Sequence, residues 1–168
     1  INAAYLNWSG QFGKLGLQFG LRGEQTIAKG EQITTAQNFE RDYLQLFPSA
    51  FINYKISDKH EVGLNYSRRI DRPAYQQLNP FRYFLDPYTF QEGNPALEPQ
   101  YTHSIEASYT FMGMVSAAIN YSQTTDAMTQ ITKQIDSTRT TFVTTENLAS
   151  HDNYGISLSI AFEITKWW

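Results

Sequence analysis

Apolar residues recur at every second position along most of this chain, and that period of two constrains the fold more than any other feature. Between Lys14 and Glu24, Leu15, Leu17, Phe19 and Leu21 alternate with Gly16, Gln18, Gly20 and Arg22. Helical spacing of apolar residues appears nowhere over a useful length, so the chain reads as all-β. After a short start at Ala4, Leu6 and Trp8, a turn at Ser9 to Phe12 leads into this strand. Further registers are Leu44, Leu46, Ala50, Ile52, Tyr54 and Ile56, then Val62, Leu64 and Tyr66 after a turn at Ser57 to Lys59. Ile105, Ala107, Tyr109 and Phe111 turn near Gly113 into Val115, Ala117, Ile119 and Tyr121; the last register is Tyr154, Ile156, Leu158, Ile160 and Phe162.

The connections alternate between short and long. Gln25 to Asp42, Pro73 to Gln100 and Ile131 to Thr140 read as long links, the second rich in proline and aromatics. All short turns then fall on one rim and all long loops on the other, provided that Thr141 to Glu163 is one long strand with an irregularity near Ser150 to Asn153. A separate turn at Ser150 to Asn153 is the competing reading. The expected set is about seven strands and a started eighth.

One side of such strands must leave water, either for the core of a soluble β protein or for a membrane. Alternation is common to both. A mean hydropathy on the polar side does not separate them, because only alternate residues of a barrel strand face lipid. No run reaches the roughly 18 apolar residues of a membrane helix. The loop asymmetry favours a barrel, as do Trp8, Phe12, Phe111, Phe162, Trp167 and Trp168 beside the short turns, where an interfacial girdle would lie. Lys14, Gln18, Arg22, Asn53, Lys55, Glu61, Asn65, Glu106 and Asn120 on the other register suit a wet lumen or a solvated outer face.

Other classes are disfavoured. Thirteen basic and sixteen acidic side chains give a net charge of -3, the wrong sign for a nucleic-acid surface. With no cysteine there is neither a disulfide framework nor a thiolate metal site. His60, His103 and His151 are scattered, and no cofactor is implied. His103 and Ser104 point to opposite faces of a strand, no nucleophile-elbow pattern is present, and no catalytic set is expected. The start shows no signal-peptide pattern, which reads as a mature piece or a fragment.

Leu46 to Phe111 resembles the outer-membrane β-barrel family of Gram-negative bacteria that forms the C-terminal part of TonB-dependent receptors. Tyr66 to Pro73 ("YSRRIDRP"), Leu78 to Phe81 ("LNPF") and Glu92 to Pro99 ("EGNPALEP") carry the resemblance, and Thr165 to Trp168 ("TKWW") is similar to a periplasmic turn. The resemblance implies an antiparallel up-and-down transmembrane barrel segment in the bacterial outer membrane, with short periplasmic turns and long extracellular loops. It implies a parent of about 22 strands around a plug, so that residues 1–168 are one partial barrel domain without the plug and the remaining strands. The implied partners are outer-membrane lipid and lipopolysaccharide, the plug of the same parent chain, and TonB through the missing N-terminal part. The implied function is import of a scarce nutrient such as a siderophore or glycan. The alternative is a soluble or surface β-domain that binds carbohydrate through its aromatic loop.

Two clusters are candidate ligand sites. Arg68, Arg69 and Arg72 could attract anionic cargo or pair with acidic groups and lipopolysaccharide phosphates. Tyr75, Phe81, Tyr83, Phe84, Tyr88 and Phe90 could stack on cargo or build a small core within the loop; so much aromatic area argues against disorder. Gly93-Asn94-Pro95 reads as turn chemistry, with glycine at positive φ.

Overall fold

The computed structural model describes residues 1–32, 37–148 and 150–161, with side chains described outside 28–41. The chain divides into two units. One comprises Ile1–Arg68, His103–Ser122 and Asp152–Trp168; the other comprises Arg69–Thr102 and Gln123–His151.

The first unit is built on a seven-stranded sheet. Its strands are β1 (Asn2–Phe12), β2 (Leu15–Gln32), β3 (Gln37–Ser57), β4 (His60–Asp71), β7 (Gln100–Phe111), β8 (Val115–Thr125) and β11 (His151–Ile160). They lie in the order β1-β2-β3-β4-β7-β8-β11, so sequential neighbours pair and β1 and β11 remain as open edges. β4, β7 and β8 each contribute residues to both units.

Two-residue turns close three of the hairpins. Gly13 has φ +60° at the first central position of the β1–β2 turn, which suits the right-handed twist of the strands it joins. Met112 (φ 54°) and Gly113 (φ 70°) both take positive φ between β7 and β8, and Met114 N–H closes that turn on Phe111 O at 3.0 Å. Hydrogen bonds stitch neighbouring turns into one rim. Lys55 N–H donates to Lys14 O at 2.9 Å, Met112 N–H to Lys59 O at 2.6 Å, and Ala161 N–H to Met114 O at 2.7 Å.

Registry places the apolar positions on one face. Leu6 pairs with Leu21, Trp8 with Phe19, Leu17 with Ile52, and Ile52 with Leu64. The opposite face aligns Asn7, Gly20, Ser49 and Ser67, and likewise Gly16, Asn53 and Gly63. Leu6, Leu44 and Leu158 are among the many large apolar side chains left exposed, and Ile156 is 87% exposed. Among the described residues of this unit no second layer covers the apolar face. Trp8 stacks on Phe12 and Phe19 with centroids 6.2 and 5.8 Å apart, and His60 lies 4.9 Å from the Phe111 ring. Aromatic rings therefore gather next to the two-residue turns; Phe162, Trp167 and Trp168 lie outside the described residues.

Several expected boundaries change. β1 runs through Phe12, so the first turn is Gly13-Lys14 and not Ser9 to Phe12. Gln25 to Asp42 is no long loop: the pairing of β2 with β3 continues to Gln32 and Gln37, because the ladder is made by backbone groups that polar residues carry as well as apolar ones. Thr141 to Glu163 is no single strand, since one strand ends at Asn147 and β11 begins at His151 in a different sheet. The alternation of rims survives because a whole hairpin is inserted between β8 and β11. Ile131 to Thr140, expected as a polar loop, supplies much of that hairpin.

The second unit carries a four-stranded sheet in the order β5-β6-β10-β9. It uses β5 (Tyr83–Asp86), β6 (Thr89–Gln91), β9 (Met128–Ile135) and β10 (Thr140–Asn147), with one helical turn, α1 (Tyr75–Leu78). β6 and β10 pair in parallel, Phe90 opposite Phe142, while β5–β6 and β9–β10 are antiparallel hairpins. The span Pro73 to Gln100 is thus a folded element and not an open loop.

Candidate functional site

Proline and asparagine set the local shape of the second unit. Pro73 precedes the single turn α1, whose entry is held by Gln77: its side-chain oxygen accepts the Ala74 N–H at 2.8 Å. Asp86-Pro87-Tyr88-Thr89 makes the tight β5–β6 turn, in which Asp86 Oδ1 accepts the Tyr88 N–H at 2.7 Å. That bond and one from the Thr89 hydroxyl hold the Asp86 carboxyl below its ordinary range.

The Glu92 to Pro99 motif is a knot that fastens this excursion to β10. Asn94 Nδ2 donates to Thr145 O at 3.2 Å, and its Oδ1 accepts the Ala96 N–H at 3.0 Å. Asn147 answers from the other side: its Nδ2 donates to Glu98 O at 2.8 Å and Asp126 O at 2.7 Å, and its Oδ1 accepts the Glu98 N–H at 2.7 Å. Glu92 N–H completes the seam on Val143 O at 3.0 Å. Gly93 is needed for a different reason from the positive φ expected of it. Its φ is not in the left-handed region, but a Cβ there would lie 2.7 Å from Gln76 O and 2.8 Å from Asn79 N. These are backbone atoms, so they cannot swing aside. Gly93→Ala is accordingly expected to destabilise this unit by about 1–3 kcal/mol, read as faster proteolysis within 73–100; unchanged cleavage would contradict the close approach.

Around this knot lies a small core. Leu97 is fully buried and Phe90 is 4% exposed. Phe90 stacks on Phe142 with ring centroids 5.5 Å apart and planes 9° apart, and meets Phe84 at 5.7 Å. Arg82 lies 4.7 Å over the Phe90 ring and pairs with Glu92 at 2.9 Å. Each fully buried side chain of this kind contributes roughly 1.5–3 kcal/mol through water exclusion, and the stacked pair adds to that.

The candidate residues separate accordingly. Phe90 is taken up by the core. Tyr75, Tyr83 and Tyr88 are 74%, 69% and 67% exposed, and Phe81 and Phe84 are exposed as well. Tyr83 and Leu85 alternate with Phe84 along the edge strand β5, so both of its faces present apolar surface. Arg69 is exposed and Arg72 half-buried. Arg68 belongs to the first unit, where its Nη1 donates to Leu46 O at 2.9 Å and its guanidinium sits 5.9 Å over the Phe47 ring. Arg82 and Phe142, which complete the core, were not expected from sequence. Phe142 sits in a Thr-rich stretch where a strand was read, but its parallel partner lies some fifty residues away.

The chemistry available is stacking, hydrogen bonding from tyrosine hydroxyls and cationic attraction from Arg69. Among the described residues no group of three or more His, Asp or Glu could hold a metal ion.

Comparison with known proteins follows the same lines. A model of the outer membrane protein beta-barrel family matches residues 1–168. No curated protein matches the sequence significantly. The hemophore receptor HasR of Serratia marcescens, solved with its hemophore HasA and heme, superimposes with a TM-score of 0.72 at 14% identity over 93% of this chain and 30% of HasR. The siderophore receptor PirA of Pseudomonas aeruginosa gives 0.75 at 14% identity, over 98% of this chain and 31% of PirA. The ferric enterobactin receptor PfeA gives 0.65 at 13%, over 98% and 25%. The chain therefore spans a third or less of these solved receptors, and at such identities the likeness is one of fold.

Proposed function

Since this chain belongs to the outer membrane protein β-barrel family, we propose that it is the wall and loop segment of a TonB-dependent receptor that imports a scarce nutrient across the bacterial outer membrane. Family membership supports the membrane as the setting of the apolar face, in preference to a soluble carbohydrate-binding domain. The seven-stranded sheet supplies barrel wall, with short periplasmic turns on one rim and extracellular excursions on the other. A plug and further strands belong to the same parent chain in this reading, and TonB engages its N-terminal part. The receptors of like fold bind a hemophore with heme, or siderophores, which supports an iron chelate as cargo and leaves a glycan as the second candidate. No catalytic role is proposed.

One observation carries the binding role. Tyr75, Phe81, Tyr83 and Tyr88 stay exposed although their neighbours Phe90 and Leu97 are buried. The folded unit thus holds aromatic side chains in water at the cost of unfavourable hydration, and ligand stacking is the use that offsets it. Arg69 supplies charge for an anionic group.

The combined variant Tyr75→Ala, Tyr83→Ala and Tyr88→Ala in the full-length parent is expected to weaken binding of ferric chelates or haem by about tenfold or more. Surface expression and heat-modifiable gel mobility should not change. A correctly assembled triple variant that takes up its cargo at the parental rate would remove the binding role from this unit.

A further inference from the structure

We propose that the polar face of the seven-stranded sheet carries, beside the β1–β2 turn, a subsite for one ring of a neutral, hydroxylated cargo, a sugar. The proposal rests on the importer reading above and selects the glycan from its two cargo classes. A cavity of about 370 Å³ opens there, lined by Ser9, Gln11, Gly16, Gln18, Phe51 and Asn53, and it falls in the size range of small-ligand sites. These residues form two neighbouring rungs of the ladder. Ser9 pairs with Gln18 and Gln18 with Phe51 in one; Gln11 pairs with Gly16 and Gly16 with Asn53 in the other. Gly16 makes the hollow, because a Cβ there would lie 3.0 Å from Gln11 Oε1 and 3.9 Å from Asn53 Cβ. Its φ is not in the left-handed region, so the backbone does not require glycine, and a glycine within a strand then marks a place of close approach.

The chemistry of the lining selects the occupant. None of these side chains is charged. The amides of Gln11, Gln18 and Asn53 offer donors and acceptors side by side, and the Ser9 hydroxyl offers both, which matches a ring whose hydroxyls each donate and accept. Gln11 Nε2 is engaged by Gly13 O at 2.8 Å, which leaves its Oε1 towards Gly16. Phe51, 40% exposed, supplies an apolar ring on which the C–H face of a sugar can lie. An anionic chelate would lose hydration here and gain no counter-charge, since Lys14 Nζ donates to Ile56 O at 3.0 Å and Arg22 pairs with Glu24. The second unit points to the same class independently. Tyr83 shares its face of the four-stranded sheet with Gln91, Val143 and Thr132 in one row, whereas the ion pairs Arg82–Glu92 and Lys133–Glu146 stand on the opposite face with Phe90 and Phe142.

Filling the hollow, or removing one amide, tests the subsite. The full-length parent and its Gly16→Val, Asn53→Leu and Ser67→Val variants are purified in mild detergent and probed on an array of neutral and sialylated oligosaccharides, and the strongest neutral ligand is then titrated. Gly16→Val and Asn53→Leu are expected to weaken its binding by about tenfold. Ser67→Val, on the same face outside the cavity, leaves it unchanged, and heat-modifiable mobility stays parental in all. Asn53→Leu keeps the test decisive if valine at position 16 prevents assembly. Binding of sialylated glycans alone, no glycan binding, or equal affinity in all the proteins would overturn the subsite. Uptake of a ferric chelate by the parent in cells would then leave the importer reading standing, whereas uptake of neither chelate nor glycan would overturn that reading as well.

Discussion

Replacing Ile119 by arginine in the full-length parent is expected to cost about 2–4 kcal/mol of barrel stability, whereas Asn120→Arg costs about 0–1 kcal/mol. The two residues are adjacent on β8, both are exposed, and they differ in the face they occupy. Ile119 shares the apolar register of β8 with Val115, Ala117 and Tyr121, which in the proposed reading meets lipid, where a guanidinium has no water and no partner. Asn120 lies over Gly155 on the other face, where arginine remains hydrated. Unfolding of both variants in lipid bilayers measures the difference. Equal costs, or the reverse order, would remove the assignment of faces.

A second large effect is expected at Phe90. Phe90→Ala removes the ring stacked between Phe142 and Phe84 and leaves Arg82 without its aromatic platform. Buried Phe to Ala changes cost about 3–5 kcal/mol. Here the loss falls on the second unit, so the assembled barrel keeps its heat-modifiable mobility while amide protection of Glu92 and Thr141, which bond to Val143 O and Tyr88 O, collapses in hydrogen exchange. Tyr83→Ala, by contrast, removes an exposed ring and should stay within about 0.5 kcal/mol. Similar protection in the two variants would show that Phe90 is not the centre of this core.

The wall was legible in sequence because its physics is local. A strand that separates two media must alternate, so Leu15 to Leu21 and Ile105 to Phe111 declare themselves and Gly113 marks where the chain reverses, whereas the first reversal, read at Ser9 to Phe12, falls at Gly13-Lys14. Exceptions to the alternation follow from neighbours in space. Phe47 stands, with Tyr43 and Phe51, among the polar residues of the second register of β3 and is buried, with Arg68 of the adjacent strand over its ring.

The second unit was legible only in outline. The density of aromatics in Tyr75 to Phe90 signalled a small core, but which ring was core and which was surface depended on Phe142. That partner arrives by a parallel pairing which no short-range pattern announces. For the same reason Ile131 to Thr140 read as a loop that led into one long strand from Thr141: Thr- and Gln-rich strands have no apolar period to betray their ends. Gly93 shows the limit most clearly. Its type was recognised as structural, but the cause is the approach of Gln76 and Asn79, visible only once the fold brings them there.

The central claim is that one face of this sheet meets hydrocarbon and the other meets water. It is tested most directly by nitroxide scanning of β8, with single cysteines placed one at a time from Val115 to Tyr121 in the otherwise cysteine-free segment of a parent embedded in lipid. The spin labels are read for collision with oxygen, which partitions into lipid, and with a water-soluble nickel chelate. The account predicts a strict period of two, with oxygen access at Val115, Ala117, Ile119 and Tyr121 and nickel access at Ser116, Ala118 and Asn120. The opposite phase, or the same access to both probes at every position, would contradict it.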